Sequence, residues 1–210
     1  MKKNSTGRLY IASRNKNKKR EIEALLKGTG IKVLSLDEVH RRLPVIIENG
    51  KTFKQNAIKK AVTISRVLDS MAIADDSGIE TNFLSGLPGV RSARFARPKA
   101  DDRENNAKLL KLMRHAPAAR RGARFVCAIA VADNGHLVGT VEGECRGRIG
   151  LSPRGDNGFG YDPLFIPDGY TLTFAEMKPS FKNGISHRGR ALKKAIPLIV
   201  RHLERTCPAD

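Results

Sequence analysis

The ten residues from Pro153 to Asp162, Pro-Arg-Gly-Asp-Asn-Gly-Phe-Gly-Tyr-Asp, combine a glycine-spaced backbone with two aromatic rings and a carboxylate. Gly155, Gly158 and Gly160 permit positive φ and close approach of main chain to a ligand, Phe159 offers a flat face, and Asp162 offers an acceptor. A planar heterocycle fits that set; so does a strand-entry turn whose aromatics fill the core. A second segment, Ser13-Arg14-Asn15-Lys16-Asn17-Lys18, passes from a strand into a helix. Helix-start N–H groups, the helix dipole and Lys18 could there receive an anion such as phosphate, unless it is an ordinary solvated helix start. It is neither a P-loop nor a dinucleotide fingerprint.

Asp75-Asp76-Ser77-Gly78 follows a buried apolar run. Strand alternation would turn its two acids to opposite faces and give them different tasks, one holding a metal or a water. An Asx-turn closing the strand is the plainer alternative. Glu48, with Thr52, Asn56 and Lys60 downstream, adds a further acid, and Asn56 and Lys60, four apart, share a helix face away from Phe53 and Ala57. Lys182, His187 and Arg188 cluster at what reads as a helix N-terminus, where cations oppose the dipole unless a ligand's acceptors or phosphates compensate them. A basic surface turn would look the same.

The elements that must position these groups are read from periodicity. Strands are expected at Arg8 to Ser13, Ile31 to Leu36, Met71 to Ala74 and Phe125 to Ala132, with His136 to Gly147 returning as a hairpin partner. Helices are expected at Lys16 to Lys27, Asp101 to Arg114, and Thr52 to Leu68, the last opened by a Thr52-x-x-Gln55 capping box. Ser186 can cap a final helix that Pro197 must kink or split. This order gives an α/β protein with a mixed sheet.

The chain has 210 residues and 40% hydrophobic content, enough for one domain, read as 1–210 with two lobes. Its net charge is +18, and the stretch to Arg20 carries eight Lys or Arg before the first acid. With no Trp and only three Tyr, stacking on single-stranded nucleic acid is poorly served, and an anionic small substrate or a generally basic proteome explains the charge as well. Cys127, Cys145 and Cys207 lack metal or disulfide spacing, and five scattered His argue against zinc. No run reads as a signal peptide or membrane span, so a soluble cytoplasmic protein is expected.

Taken together, these segments resemble the inosine/xanthosine triphosphate pyrophosphatase family. The correspondence runs in order through Ser13-x-Asn15-x-x-Lys18, Glu48-x-Gly50-x-Thr52-Phe53-x-x-Asn56-Ala57-x-x-Lys60-Ala61, Ala74-Asp75-Asp76-Ser77-Gly78 and Leu87-Pro88-Gly89-Val90-x-Ser92-Ala93-Arg94. It continues through Gly158-Phe159-Gly160-Tyr161-Asp162-Pro163-x-Phe165 and Ser186-His187-Arg188-Gly189-x-Ala191-Leu192. The resemblance implies an elongated mixed sheet flanked by helices, two lobes around a nucleotide cleft, a homodimer and Mg²⁺. It implies that Ser13, Arg14, Asn15, Lys16, Asn17 and Lys18 hold the triphosphate, with Lys60 beside them. Glu48 and Asp76 would bind the metal, Asp76 being also the general base. Ser77 would touch substrate, Phe159, Gly160, Tyr161 and Asp162 would cradle base and sugar, and Lys182, His187 and Arg188 would complete the site.

Two departures stand out: Arg14 replaces a frequent glycine, raising the question of a strained loop, and Ile47 replaces a second acid beside Glu48. The implied reaction is hydrolysis of non-canonical purine triphosphates (inosine, deoxyinosine, xanthosine) between the α and β phosphates. Two rivals are a Maf-like pyrimidine triphosphate pyrophosphatase and a non-catalytic basic nucleic-acid-binding protein. The joint presence of Ser-His-Arg-Gly and Gly-Phe-Gly-Tyr-Asp favours the purine enzyme.

Overall fold

The computed structural model describes residues 8–40 and 42–206. Six strands form one mixed sheet in the order β2-β1-β3-β4-β5-β6. They are β1 (Arg8–Ile11), β2 (Lys32–Ser35), β3 (Ala72–Thr81), β4 (Gly122–Asp133), β5 (His136–Ile149) and β6 (Phe165–Pro167). Among the described residues five α-helices accompany them: α1 (Lys16–Leu26), α2 (Phe53–Leu68), α3 (Asp102–Leu112), α4 (Pro179–Ile185) and α5 (His187–Thr206). β1 runs parallel to β2 and β3, while β5 and β6 are antiparallel. No described helix is long and apolar enough to cross a membrane.

The chain divides into two compact units. The first contains the residues up to Asp76, Ala128–Glu142 and everything from Ala191 on; the second contains Ser77–Cys127 and Gly143–Arg190. In the first unit, Leu9 and Ile11 of β1, Ile22 and Leu26 of α1, and Ala57, Ala61 and Ile64 of α2 are buried at helical and strand spacings. Every residue of β4 from Cys127 to Ala132 is buried, which is why that run is apolar without alternation. Asn134 and Gly135, at φ 47° and 82°, supply the left-handed pair of a two-residue turn between β4 and β5. In the second unit one core joins Leu109 of α3 and Met113 at its C-cap to Phe125, Tyr161, Phe165 and Phe174.

Three expectations need correcting. β3 does not end at Ala74: it runs to Thr81, so Asp75-Asp76-Ser77-Gly78 lies within a strand and not in a closing turn. The capping box at Thr52 is half formed. Thr52 accepts the Gln55 N–H at 3.1 Å, but Gln55 Oε1 reaches back to Lys51 N instead of Thr52 N. Lys182 is not at a helix start; it is buried inside α4, whose last turn leads through Ser186 into α5. Ser186 does cap α5, accepting the Gly189 N–H at 3.1 Å, and α5 continues through Pro197 without splitting. Lys2, Lys3 and Cys207 lie outside the described residues.

Candidate active site

In the first unit, α2 and β3 bring two acids and a lysine together. Lys60 Nζ lies 3.1 Å from Glu48 Oε1, 3.3 Å from Asp76 Oδ1 and 2.7 Å from the Asp75 carbonyl oxygen. Asn56, one turn earlier on α2, donates from Nδ2 to Asp76 Oδ2 at 3.0 Å and accepts the Gly50 N–H at 2.7 Å. One side chain therefore ties the Glu48 loop to the acid on β3. Gly50 permits this approach, since a Cβ there would lie 2.6 Å from Asn56 Oδ1. Asn56 and Lys60 share a face as their spacing predicts, but it is buried against acids and not solvated.

Strand alternation holds for the acid pair. Asp75, fully buried, takes Lys18 Nζ on Oδ2 at 3.1 Å, whereas Asp76 meets Asn56 and Lys60. Burial pushes the Asp76 carboxyl above its ordinary value; Lys60 and then Lys18 pull it down without cancelling that. Burial would depress the Lys60 ammonium, yet Asp76, Asp75 and Glu48 outweigh it and raise its pKa. The two directions conflict if read as one pair. They agree once Lys60 is seen to have three acids around it, while Asp76 shares its lysine with the other two and does not recover its own desolvation.

The segment from Ser13 to Lys18 is less open to an anion than its sequence suggests. Asn15 caps α1, its Oδ1 accepting the N–H groups of Asn17 and Lys18, and Ser13 Oγ accepts that of Asn15. With Lys18 committed to Asp75, the exposed Arg14, Lys16 and Asn17 side chains remain at the helix start. Arg14 lies outside the left-handed region, so the loop is built without the glycine and without that strain.

In the second unit, Asp162 Oδ2 accepts from Phe159 N at 2.9 Å and from Lys182 Nζ at 2.6 Å, both side chains of the ion pair being buried. Gly158 must be glycine here: its φ is +76°, and a Cβ would collide with Asp162 Oδ2. The Phe159 ring carries two cations, Lys182 Nζ at 5.1 Å and the Arg188 guanidinium at 5.4 Å from its centroid. Arg188, 1% exposed, donates to Ser77 Oγ at 2.8 Å. His187 stacks on Phe125 at 4.5 Å and 7° between planes. Tyr161 instead turns into the core and donates its hydroxyl to the Ser92 carbonyl at 2.9 Å, so it can serve a ligand only through its backbone. Sequence reading assigned no role to Ser92, Asp102 or Asn106, which hold this loop; only the Leu-Pro-Gly-Val-x-Ser run and the Asn-rich start of α3 could have pointed to them.

The two constellations differ in what they can do. Two carboxylates that converge on one ammonium already hold a cation, and together with water and phosphate oxygens they suit a hard divalent ion. No group of three or more His, Cys, Asp or Glu that could hold a metal ion is present among the described residues. The flanked Phe159 ring, with Arg188 and Lys182 beside it, suits a planar, electron-rich base.

The sequence model of the Ham1 family matches residues 9–198. A protein of Desulforamulus reducens named dITP/XTP pyrophosphatase is 47% identical over 194 residues, covering 92% of this chain and 96% of its own length. One of the same name from Geobacter sulfurreducens is 46% identical over 185 residues, with 88% and 92% covered. A solved HAM1 protein from Coxiella burnetii superposes with a TM-score of 0.83 at 37% identity, covering 93% of this chain and 99% of that one.

Proposed function

The chain belongs to the Ham1 family, and from that premise we propose that it hydrolyses non-canonical purine nucleoside triphosphates, those of inosine, deoxyinosine and xanthosine, to the monophosphate and pyrophosphate. The observation that carries this reading is Asp76, a buried carboxylate fixed on both oxygens by Asn56 and Lys60. A base held so can orient and deprotonate one water, a contribution of ~10²–10⁴-fold in such reactions. Lys60, and Lys18 from within its ion pair with Asp75, would bring positive charge to the departing pyrophosphate. Glu48 and Asp76 would hold Mg²⁺, which supplies neutralisation of charge on the phosphorus and leaving group when bound. In the second unit, Phe159 would stack on the base while Arg188 and His187 present donors to its 6-oxo group.

Adenine carries an amino group where those donors would point, and buried donors left without acceptors are costly. Sites built on such hydrogen bonds reject the wrong partner by ~10⁴-fold or more. Family membership likewise supports a homodimer acting in the cytoplasm; a solution mass near twice 23.1 kDa is the expected result of light scattering. Incubation with inosine triphosphate and Mg²⁺ tests the central reading and should release inosine monophosphate and pyrophosphate. Inosine diphosphate with orthophosphate would place cleavage at the other anhydride, and equal kcat/KM for adenosine triphosphate would overturn the reading of the base pocket.

A further inference from the structure

Gly160, between the Phe159 ring and the core-bound Tyr161, has both of its peptide groups held by one helix. Its N–H donates to Asp102 Oδ2 at 2.6 Å, and its carbonyl accepts from Asn106 Nδ2 at 2.9 Å. Asp102 and Asn106 are four apart, so α3 presents them one above the other. We propose that this pair is a positioning device for the nucleotide base: α3 sets the orientation of the Gly160 backbone and through it the plane of Phe159. The proposal rests on the pyrophosphatase reading and extends it to residues that touch no substrate.

The orientation of Asn106 supports this. The residue is 7% exposed, and its Oδ1 is buried without a protein hydrogen-bond partner. A buried amide whose oxygen makes no protein hydrogen bond takes its orientation from its nitrogen's partner. The base of the clamp is firm. Asn105 accepts the Ala96 N–H at 2.9 Å, Leu109 and Met113 join the core that contains Tyr161, and Arg121 Nη1 donates to the Met113 carbonyl at the far end of α3. Gly160 itself, at φ +64°, has open space where a Cβ would stand, so no side chain helps to fix it. Its geometry is set by hydrogen bonds.

Four variants separate the clamp from other roles. Asp102→Asn keeps an acceptor but removes the charge that favours a helix N-terminus, whereas Asp102→Ala removes both; Asn106→Asp keeps shape but places an oxygen against the Gly160 carbonyl. Arg103→Ala, on the exposed side of α3, is the control. Asp102→Ala and Asn106→Asp should raise KM for inosine triphosphate about three- to tenfold, the size of one lost hydrogen bond, with kcat within about twofold and selectivity over adenosine triphosphate reduced. Asp102→Asn and Arg103→Ala should stay near wild type. Hydrogen exchange of the amides from Gly158 to Asp162 should quicken in Asp102→Ala and Asn106→Asp alone. Equal effects of Asp102→Asn and Asp102→Ala would assign Asp102 to the helix dipole and overturn the clamp, as would unchanged KM and exchange in a folded Asn106→Asp protein. Should Asn106→Asp fail to fold, the surface pair at Asp102 decides. A wild-type protein inactive on inosine triphosphate would sink the pyrophosphatase reading, while the exchange data would still judge the clamp.

Discussion

Asp76 is gripped from α2 on both oxygens, and that grip fixes what its loss should do. Asp76→Asn keeps size and one acceptor but removes the charge, so kcat should fall by ~10²–10⁴-fold with little change in melting temperature. Asp75→Asn, which loosens Lys18 instead, should cost less turnover. Retention of more than about a tenth of wild-type kcat by Asp76→Asn would pass the base role to Asp75 or Glu48. The pH dependence has a definite sign. Burial holds the Asp76 carboxyl above its ordinary value and Lys60 opposes this, so Lys60→Met should move its titration further up, measurable by carboxyl NMR on metal-free protein. Because the folded value exceeds the unfolded one, Asp76 contributes stability that is full below the unfolded pKa and lost as pH rises through the folded one. The residue types of this site were legible in the sequence, down to the alternation that separates Asp75 from Asp76. Their commitments were not. That Tyr161 serves the core depends on Ser92, far along the chain, whereas Asn15 consumes the N–H groups expected to meet phosphate through a local cap that the phosphate reading passed over.

At the level of elements, long periodic segments announced themselves: α2, β4 with its buried run from Cys127 to Ala132, and the returning β5 all lie near where pattern put them. The short pieces did not. α4 has seven residues with Pro179 at its start and Gly184 inside, and β6 has three, so neither carries a readable period. Ser77-Gly78 reads as a turn by composition, but Ile79 and Thr81 continue the strand, and Ser92 Oγ accepts the Ile79 N–H at 3.0 Å. The junction of α4 and α5 carries its own prediction. A Cβ at Gly189 would overlap the Asn183 carbonyl oxygen, so Gly189→Ala must push the first turn of α5 away from α4. It should destabilise the fold by about 1–3 kcal/mol in denaturant titrations and raise KM, because His187 and Arg188 sit in that turn. A variant as stable and as tight-binding as wild type would show that the turn yields freely.

Across the whole molecule, 39 basic residues against 21 acidic ones create a field that favours polyanions. KM for a nucleoside triphosphate should therefore rise with ionic strength while kcat stays nearly flat, over the range in which the screening length falls from about 30 Å at 0.01 M to about 8 Å at 0.15 M. A KM insensitive to salt would mean that the excess charge serves something other than substrate capture. Not every charged group will feel the salt, however. The buried Arg121 guanidinium donates to three carbonyl oxygens, those of Met113, Ile149 and Gly150, at 2.9, 2.8 and 2.7 Å. Neither partner changes protonation between mild acid and mild base, and short buried bonds are shielded from counterions. This joint between the end of α3 and the end of β5 should outlast brine and vinegar alike, so that in acid or concentrated salt the second unit keeps its helix docked after the surface ion pairs have let go.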